Sequence, residues 1–283
     1  MAWNCPARWR PGIALGNLEG ASPSPTAVCW KCPSLSILAA KRHTAILHYS
    51  LFILHFYKGG MFLNIFDIMG PIMVGPSSSH TAGAARMGRV ARHLLGSQPV
   101  KADIQLHGSF AATGSGHGTD RAIVAGLLDL APDHPGIPHS FELARQAGMA
   151  VSIRPVDLPG AHPNTAVLHL TDQQGRTLTV SASSLGGGRI RVNAIDGMEA
   201  SFSGELPTLI IRNQDRPGIV SQVSQMLSDH MANIATMQLY RDRRGGLAVM
   251  VLECDNHLSP ALVQELSHLD GVERCTYLNM EGC

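Results

Sequence analysis

The chain has 283 residues, 45% of them hydrophobic and only 15% charged, with 22 basic against 21 acidic side chains and a formal net charge of +1. That length suits two domains rather than one small core, and the balanced charge gives no reason to expect nucleic acid or an anionic membrane as the main partner. Six irregularly spaced cysteines do not read as a disulfide framework.

Residues 1–60 differ from the rest. They hold all three tryptophans and half of the cysteines, without helical periodicity or strand alternation. The apolar run Ala45 to Tyr57 is broken by His48 and His55 and is too short to span a bilayer. No signal peptide stands out, so the expected compartment is the cytoplasm. Tyr57-Lys58-Gly59-Gly60 before Met61 is what a purine-rich ribosome-binding site would encode if read in frame. The expectation is that Met61 is the true start and residues 1–60 are a non-native extension, which the mass of the native N-terminus would test. Cys29-Trp30-Lys31-Cys32 falls in this segment; without further ligands it reads as a chance pair rather than a metal site.

From Met61 the pattern becomes orderly, and residues 61–204 read as a first domain. Gly75-Pro76-Ser77-Ser78-Ser79-His80-Thr81-Ala82-Gly83 is a polar loop feeding a helix with Met87, Val90, Ala91, Leu94 and Leu95 on one face. A hydroxyl residue there is a natural N-cap. The same helix start, with unpaired N–H groups, also suits a carboxylate, and His80 beside hydroxyls can move protons near neutral pH. Both readings stand on the residues alone. Val100 to Leu106 alternates like a strand. The following Gly108–Gly118 stretch reads as a Gly-rich loop, able to aim N–H groups and the hydroxyls of Ser109, Thr113 and Ser115, with His117, at an anion. Ala122 to Leu130 looks helical. His162-Pro163-Asn164-Thr165 leads into a hairpin, Ala166 to Thr171 and Thr177 to Ala182, followed by a Gly-rich turn at Ser184–Gly188. His169, inside a strand, reads as an ordinary hydrogen-bonded histidine.

Residues 205–283 read as a second domain. Pro207 to Arg212 is a strand, Gly218 to His230 a helix, Asn233 to Tyr240 and Leu247 to Cys254 strands, Pro260 to Leu269 a helix and Val272 to Leu278 a strand. The order βαββαβ is the ferredoxin-like plan.

Four strings carry a family resemblance: Asp67–Gly83, His107–Asp120, His162–Thr165 and Ser183–Ile190. In that order they resemble the β subunit of bacterial iron–sulfur L-serine dehydratases. The resemblance implies an α+β fold like the allosteric substrate-binding domain of some D-3-phosphoglycerate dehydrogenases. Asp215-Arg216-Pro217-Gly218 resembles the effector loop of ACT domains, which implies a ferredoxin-like ACT domain behind the first. The family's activity implies L-serine going to pyruvate and ammonia, with a 4Fe–4S cluster acting as Lewis acid. The main body offers only Cys254, Cys275 and Cys283, so the resemblance places the cluster on a separate serine dehydratase α subunit, with no metal ligand in this chain.

Carried over by resemblance, Ser78, Ser79, His80 and Thr81 are the catalytic candidates, with the base unassigned among them. Ser77, Gly108, Ser109, Thr113, Ser115, His117 and Asn164 are substrate-binding candidates. Asn213, Asp215, Gly218 and Ile219, with Asn233 on the next strand, are effector candidates, and L-serine is the expected effector. An ACT-mediated dimer is a possible assembly. No lysine context suggests a pyridoxal phosphate Schiff base. The rivals are a non-catalytic amino-acid-binding regulatory protein, and a hydrolase built on Ser79 and His80 that lacks a nucleophile elbow.

Overall fold

A computed structural model describes residues 71–280. The expectations for residues 1–60, including Cys29 and Cys32, lie outside the described residues.

A π-helical turn, Ser78–Gly83, runs straight into α1 (Ala84–Leu95). Strand β1 (Pro99–His107) follows, then α2 (Gly108–His117), α3 (Thr119–Leu127), a 3-10 turn at Ile137–His139, α4 (Ser140–Gln146) and β2 (Ala150–Val156). A meander completes the domain: β3 (Thr165–Asp172), β4 (Thr177–Gly186), β5 (Arg189–Ile195) and β6 (Met198–Phe202). The six strands lie in the order β2-β1-β3-β4-β5-β6, with β1 and β2 parallel and every other pair antiparallel.

Alternation explains which face is covered. Ala102, Ile104 and Leu106 of β1, Leu168 and Leu170 of β3, and Val180 and Ala182 of β4 point inward, and α1 and α3 bury them. Each fully buried Leu or Ile contributes about 1.5–3 kcal/mol. The opposite face is polar and tied across strands: Arg154 donates to Asp103 at 3.0 Å, Gln105 meets His169 at 2.9 Å, and His169 meets Thr179 at 3.0 Å. His169 is thus a hydrogen-bonded histidine of the sheet.

Helices α1 and α3 meet backbone to backbone. A Cβ on Gly88 would strike the Ile123 carbonyl, and one on Gly126 would strike the Ala85 carbonyl. Beside this contact Arg89, 7% exposed, is buried, and its Nε lies 3.1 Å from Asp129 Oδ1, which also meets His93 Nε2 at 3.0 Å. Burial alone would raise the Asp129 pKa, but hydrogen bonds from His93 and Arg89 outweigh it and hold the carboxyl below its ordinary value.

The second sheet comprises β7 (Thr208–Gln214), β8 (Ile234–Arg241), β9 (Leu247–Cys254) and β10 (Val272–Leu278), with α5 (Ile219–Asp229) and α6 (Pro260–Ser267). Its order is β10-β7-β9-β8, all antiparallel, which is the expected ferredoxin-like plan. Leu209, Ile211, Met250 and Leu252 form one core with Val223 and Leu227 of α5 and Leu262 and Leu266 of α6. Ile210, Val249, Val251 and Leu278, on the other face, belong to the core of the first domain. Both faces of this sheet are therefore covered, and the two domains share a seam.

Two expectations need correction. The Gly108–Gly118 stretch is not a loop but the helix α2. Glycine disfavours helix, yet fully buried Phe110 anchors the segment, and Ser109 N–H donates to the Pro163 carbonyl at 2.8 Å. The Ser184–Gly188 turn is shorter than expected, because β4 continues to Gly186 and pairs there with Arg189. The 131–161 segment, without assigned elements in the sequence reading, supplies α4 and the edge strand β2.

Candidate active site

Ser77 closes the start of the π-helical turn. Its Oγ accepts from the His80 backbone N–H at 3.3 Å, and its carbonyl accepts from Thr81 N–H at 2.8 Å. The expected N-cap therefore exists, and it also fixes where the His80 ring goes. Nδ1 of that ring lies 3.3 Å from Ser77 Oγ, and Nε2 lies 3.2 Å from Ser109 Oγ. The His117 ring stands edge-on, with centroids 5.0 Å apart and planes at 88°, while Phe110 packs at 5.2 Å. His80 is 9% exposed and His117 is exposed. The cluster thus joins a buried imidazole to an outer one.

Burial lowers the pKa of His80 below 6.5, and the neighbouring His117 lowers it further; only the bond at Ser109 opposes them. A neutral imidazole has one donating and one accepting nitrogen. A hydroxyl stands at each, so a proton can pass along Ser77, His80 and Ser109.

The third and fourth motifs pack against the two segments that carry this pair. A Cβ on Gly108 would lie 2.6 Å from the Pro163 carbonyl, so only glycine lets α2 start against the 162–165 segment. Asn164 N–H donates to His162 Nδ1 at 3.1 Å, and the Asn164 carbonyl accepts from Ser184 N–H at 2.9 Å. Thr165 Oγ1 donates to the His162 carbonyl at 2.6 Å and meets Ser183 Oγ at 2.7 Å. A Cβ on Gly83 would collide with Ser184 Oγ, so β4 lies directly against the π-helical turn. The buried hydroxyls of Thr81 and Ser184 have no hydrogen-bond partner among the described residues.

Of the sequence candidates, Ser77, His80, Ser109 and His117 come together. Ser78 and Ser79 are half-buried in the same turn, and Ser79 Oγ faces the Gly186 end of β4. Thr113 turns its hydroxyl to the Ser109 carbonyl at 2.8 Å, so it supports α2. Ser115 departs from the group. It lines a cleft of about 410 Å³ with Leu106, Phe141, Val151 and Ile153, on the side of α2 away from Phe110 and His117. Phe110 and Ser184 were missed as site residues; an apolar ring inside an otherwise polar, Gly-rich string was the available signal for Phe110.

In the second domain, Asp215 Oδ2 accepts from Gly245 N–H at 3.0 Å and from Arg241 Nη1 at 3.2 Å. The Gly245 bond first, then Arg241, hold its carboxyl below its ordinary value. Asn213 is fully buried, with Nδ2 donating to the Gln214 carbonyl at 2.8 Å and Oδ1 unpartnered among the described residues. Gly218, at φ +92°, turns the chain into α5, and the Ile219 side chain beyond it is buried. Asn233 does not join these four within one chain. It precedes Ile234, which pairs with Cys254, whereas Asn213 pairs with Ala248, opposite Arg241 at the other end of the sheet.

An iron–sulfur cluster does not fit the described residues. Cys254 and Cys275 are free, both in the second sheet. Burial pushes both thiols up, Cys275 to about 11, the opposite of what a thiolate ligand requires. No helix among the described residues is long and apolar enough to cross a membrane.

Comparison with known proteins identifies the family. The family model for the serine dehydratase beta chain matches residues 64–150, and that for the ACT domain matches residues 207–270. A probable L-serine dehydratase beta chain of Bacillus subtilis (strain 168) is 39% identical over 213 residues, 75% of this chain and 96% of the relative. The L-serine dehydratase beta chain of Peptoniphilus asaccharolyticus is 39% identical over 212 residues, 75% of this chain and 94% of the relative. A D-3-phosphoglycerate dehydrogenase of Bacillus subtilis is 26% identical over 67% of this chain and 36% of its own length. With two relatives matched over nearly their whole length, and four motifs folded against one another, the chain belongs to the L-serine dehydratase β-chain family and carries an ACT domain.

Proposed function

We propose that this chain is the β subunit of a two-chain L-serine dehydratase of the cytoplasm, which converts L-serine to pyruvate and ammonia with a cluster-bearing α subunit. Residues 61–204 supply its half of the active site and residues 205–283 sense an amino acid. The observation that carries the reading is the buried His80 imidazole, biased towards its neutral form and held between the Ser77 and Ser109 hydroxyls.

In this reading the start of the π-helical turn, with the hydroxyls of Ser78 and Ser79, receives the substrate carboxylate, because helix N-termini favour anions. The neutral His80 ring holds the substrate α-proton at one nitrogen while its other nitrogen stays on a serine hydroxyl. His117, at the exposed side, passes the proton onward to solvent. The 4Fe–4S cluster belongs to the α subunit, since the thiols of Cys254 and Cys275, pushed up by burial, are unsuited to it. L-serine is the proposed effector at Asn213, Asp215 and Gly218. A second copy pairing along β8 is the proposed assembly, supported by Met237 and Leu239 on that edge strand, 39% and 46% exposed.

The test is anaerobic copurification with the α chain, followed by pyruvate formation from L-serine. His80→Ala is expected to lower kcat at least about 100-fold while the two chains still copurify. Unchanged turnover would remove His80 from the mechanism. A colourless protein without a partner that still binds L-serine would favour the non-catalytic sensor instead.

A further inference from the structure

Helix α1 carries the His80 turn at one end, and the ACT domain holds its other end. Arg274 of β10 donates through Nη2 to the Leu94 carbonyl, in the last turn of α1, at 3.1 Å. A cation on those carbonyls is a favourable cap. A second hold lies nearer the front: Arg86 Nη2 donates to the Gly204 carbonyl at 3.3 Å, and its Nη1 lies 3.7 Å from Glu205.

Arg274 is in turn tied to the effector turn. It sits directly opposite Arg212 across β10 and β7, and Arg212 precedes Asn213. The ladder slips by one residue between Val272 and Arg274, which makes Glu273 the bulged residue. Arg212 Nε lies 3.2 Å from Glu273 Oε2, an ion pair without hydrogen-bond geometry. From the turn itself Arg216 Nη1 reaches Asp270 Oδ2 at 2.6 Å, and Gln214 N–H donates to the Gly271 carbonyl at 2.8 Å. Every residue from 270 to 274 is therefore gripped by, or paired with, the segment 212–216. A cavity of roughly 30 Å³, lined by Leu94, Ile210, Arg212 and Arg274 among others, leaves the seam room to shift.

We infer that Arg274 is a positioning residue for the active site, through which the Asn213–Gly218 turn sets the axial position of α1 and hence of His80. The twelve residues of α1 form a rod about 18 Å long. The π-helical turn at its front is the softer element, since its i→i+5 bonds are less favourable than those of an α-helix. A pull at Leu94 is therefore expressed at Ser78–Gly83.

This inference rests on the proposed effector role of the ACT turn, and one experiment separates the two. Amide hydrogen exchange is followed by mass spectrometry on the full chain, with and without saturating L-serine, for wild type, Arg274→Met, Arg274→Lys and Asp215→Ala. Wild type is expected to gain protection at 213–220 and to change exchange at 78–95. Arg274→Met is expected to keep the first response and lose the second, and Arg274→Lys to restore it in part. A response at 78–95 that survives in Asp215→Ala arises from serine at the His80 site and is subtracted. Protection at 213–220 with an unaltered 78–95 response in Arg274→Met overturns the coupling alone. Absence of protection at 213–220 in wild type overturns the effector reading, and the coupling falls with it. In the assembled enzyme, Arg274→Met is expected to lower kcat severalfold with KM little changed.

Discussion

The surroundings of His80 are drawn from residues 77–83 and 107–117, backed by 162–165 and 183–188, and the central side chain is nearly enclosed. The ACT turn is one segment, Asn213–Gly218, steadied by the neighbouring hairpin through Gly245 and Arg241. The first arrangement exists only while four backbones stay in contact; the second needs little beyond its own sheet. A site of the first kind is fragile to packing changes far from it, and one of the second kind to changes in a few side chains.

Gly126→Ala should break that contrast most sharply. Its Cβ would strike the Ala85 carbonyl, forcing α1 off α3. The expected loss is about 3 kcal/mol or more in denaturant unfolding, since backbone cannot yield as a side chain does. Activity should fall with it. Asp129→Ala comes next. It leaves the Arg89 guanidinium buried without its carboxylate, at an expected cost of about 3 kcal/mol. Equal stability of this variant would show that solvent reaches Arg89.

His117→Gln sharpens the comparison without unfolding anything. The His80 pKa lies below 6.5, so the acid limb of kcat/KM should have its midpoint below that value. Removing the repelling His117 should move the midpoint up, towards 6.5. The stability sign follows: as pH falls below 6.5 the unfolded chain takes a proton that folded His80 resists, so acid destabilises the fold. Replacing His80 should flatten that part of the stability profile. On the ACT side, Asp215→Ala should weaken L-serine binding about tenfold and lower the melting temperature only slightly, because Gly245 N–H and Arg241 lose their acceptor at a site open to water. Binding calorimetry and thermal unfolding of the same sample check both halves. Met237→Glu is expected to have the smallest effect on the single chain, shifting only the sedimentation of a dimer paired along β8.

The same contrast governs how much was legible in the residues. The ACT elements follow from period alone: Ile219, Val223 and Leu227 at helical spacing, and strands whose alternate residues meet separate cores. The face of α1 was equally plain. Helix α2 was not, because Gly108, Gly114 and Gly116 argue against helix and the anchors that overrule them, Phe110 and the Pro163 carbonyl, are a tertiary matter. Edge strand β2 carries Pro155, which blurs a strand pattern but suits an edge. At the site, Ser77 and His80 were visible as a motif. Their meeting with Ser109 and His117 was not, since 29 positions separate His80 from Ser109. Read as a loop, 108–118 has no far side to exclude Ser115; as a helix it has one, opposite Phe110 and His117.

The π-helical turn makes the site a matter of counting. An α-helix advances roughly 100° per residue, and a π turn accommodates one residue more before its hydrogen bond closes. Deleting a single residue between 81 and 83 would let the helix run on in α register. Everything upstream would then rotate by about 100°, carrying the His80 ring off Ser109, Phe110 and His117 while leaving the hydrophobic face of α1 seated. Chain length in this turn, as much as residue identity, is what aims the imidazole.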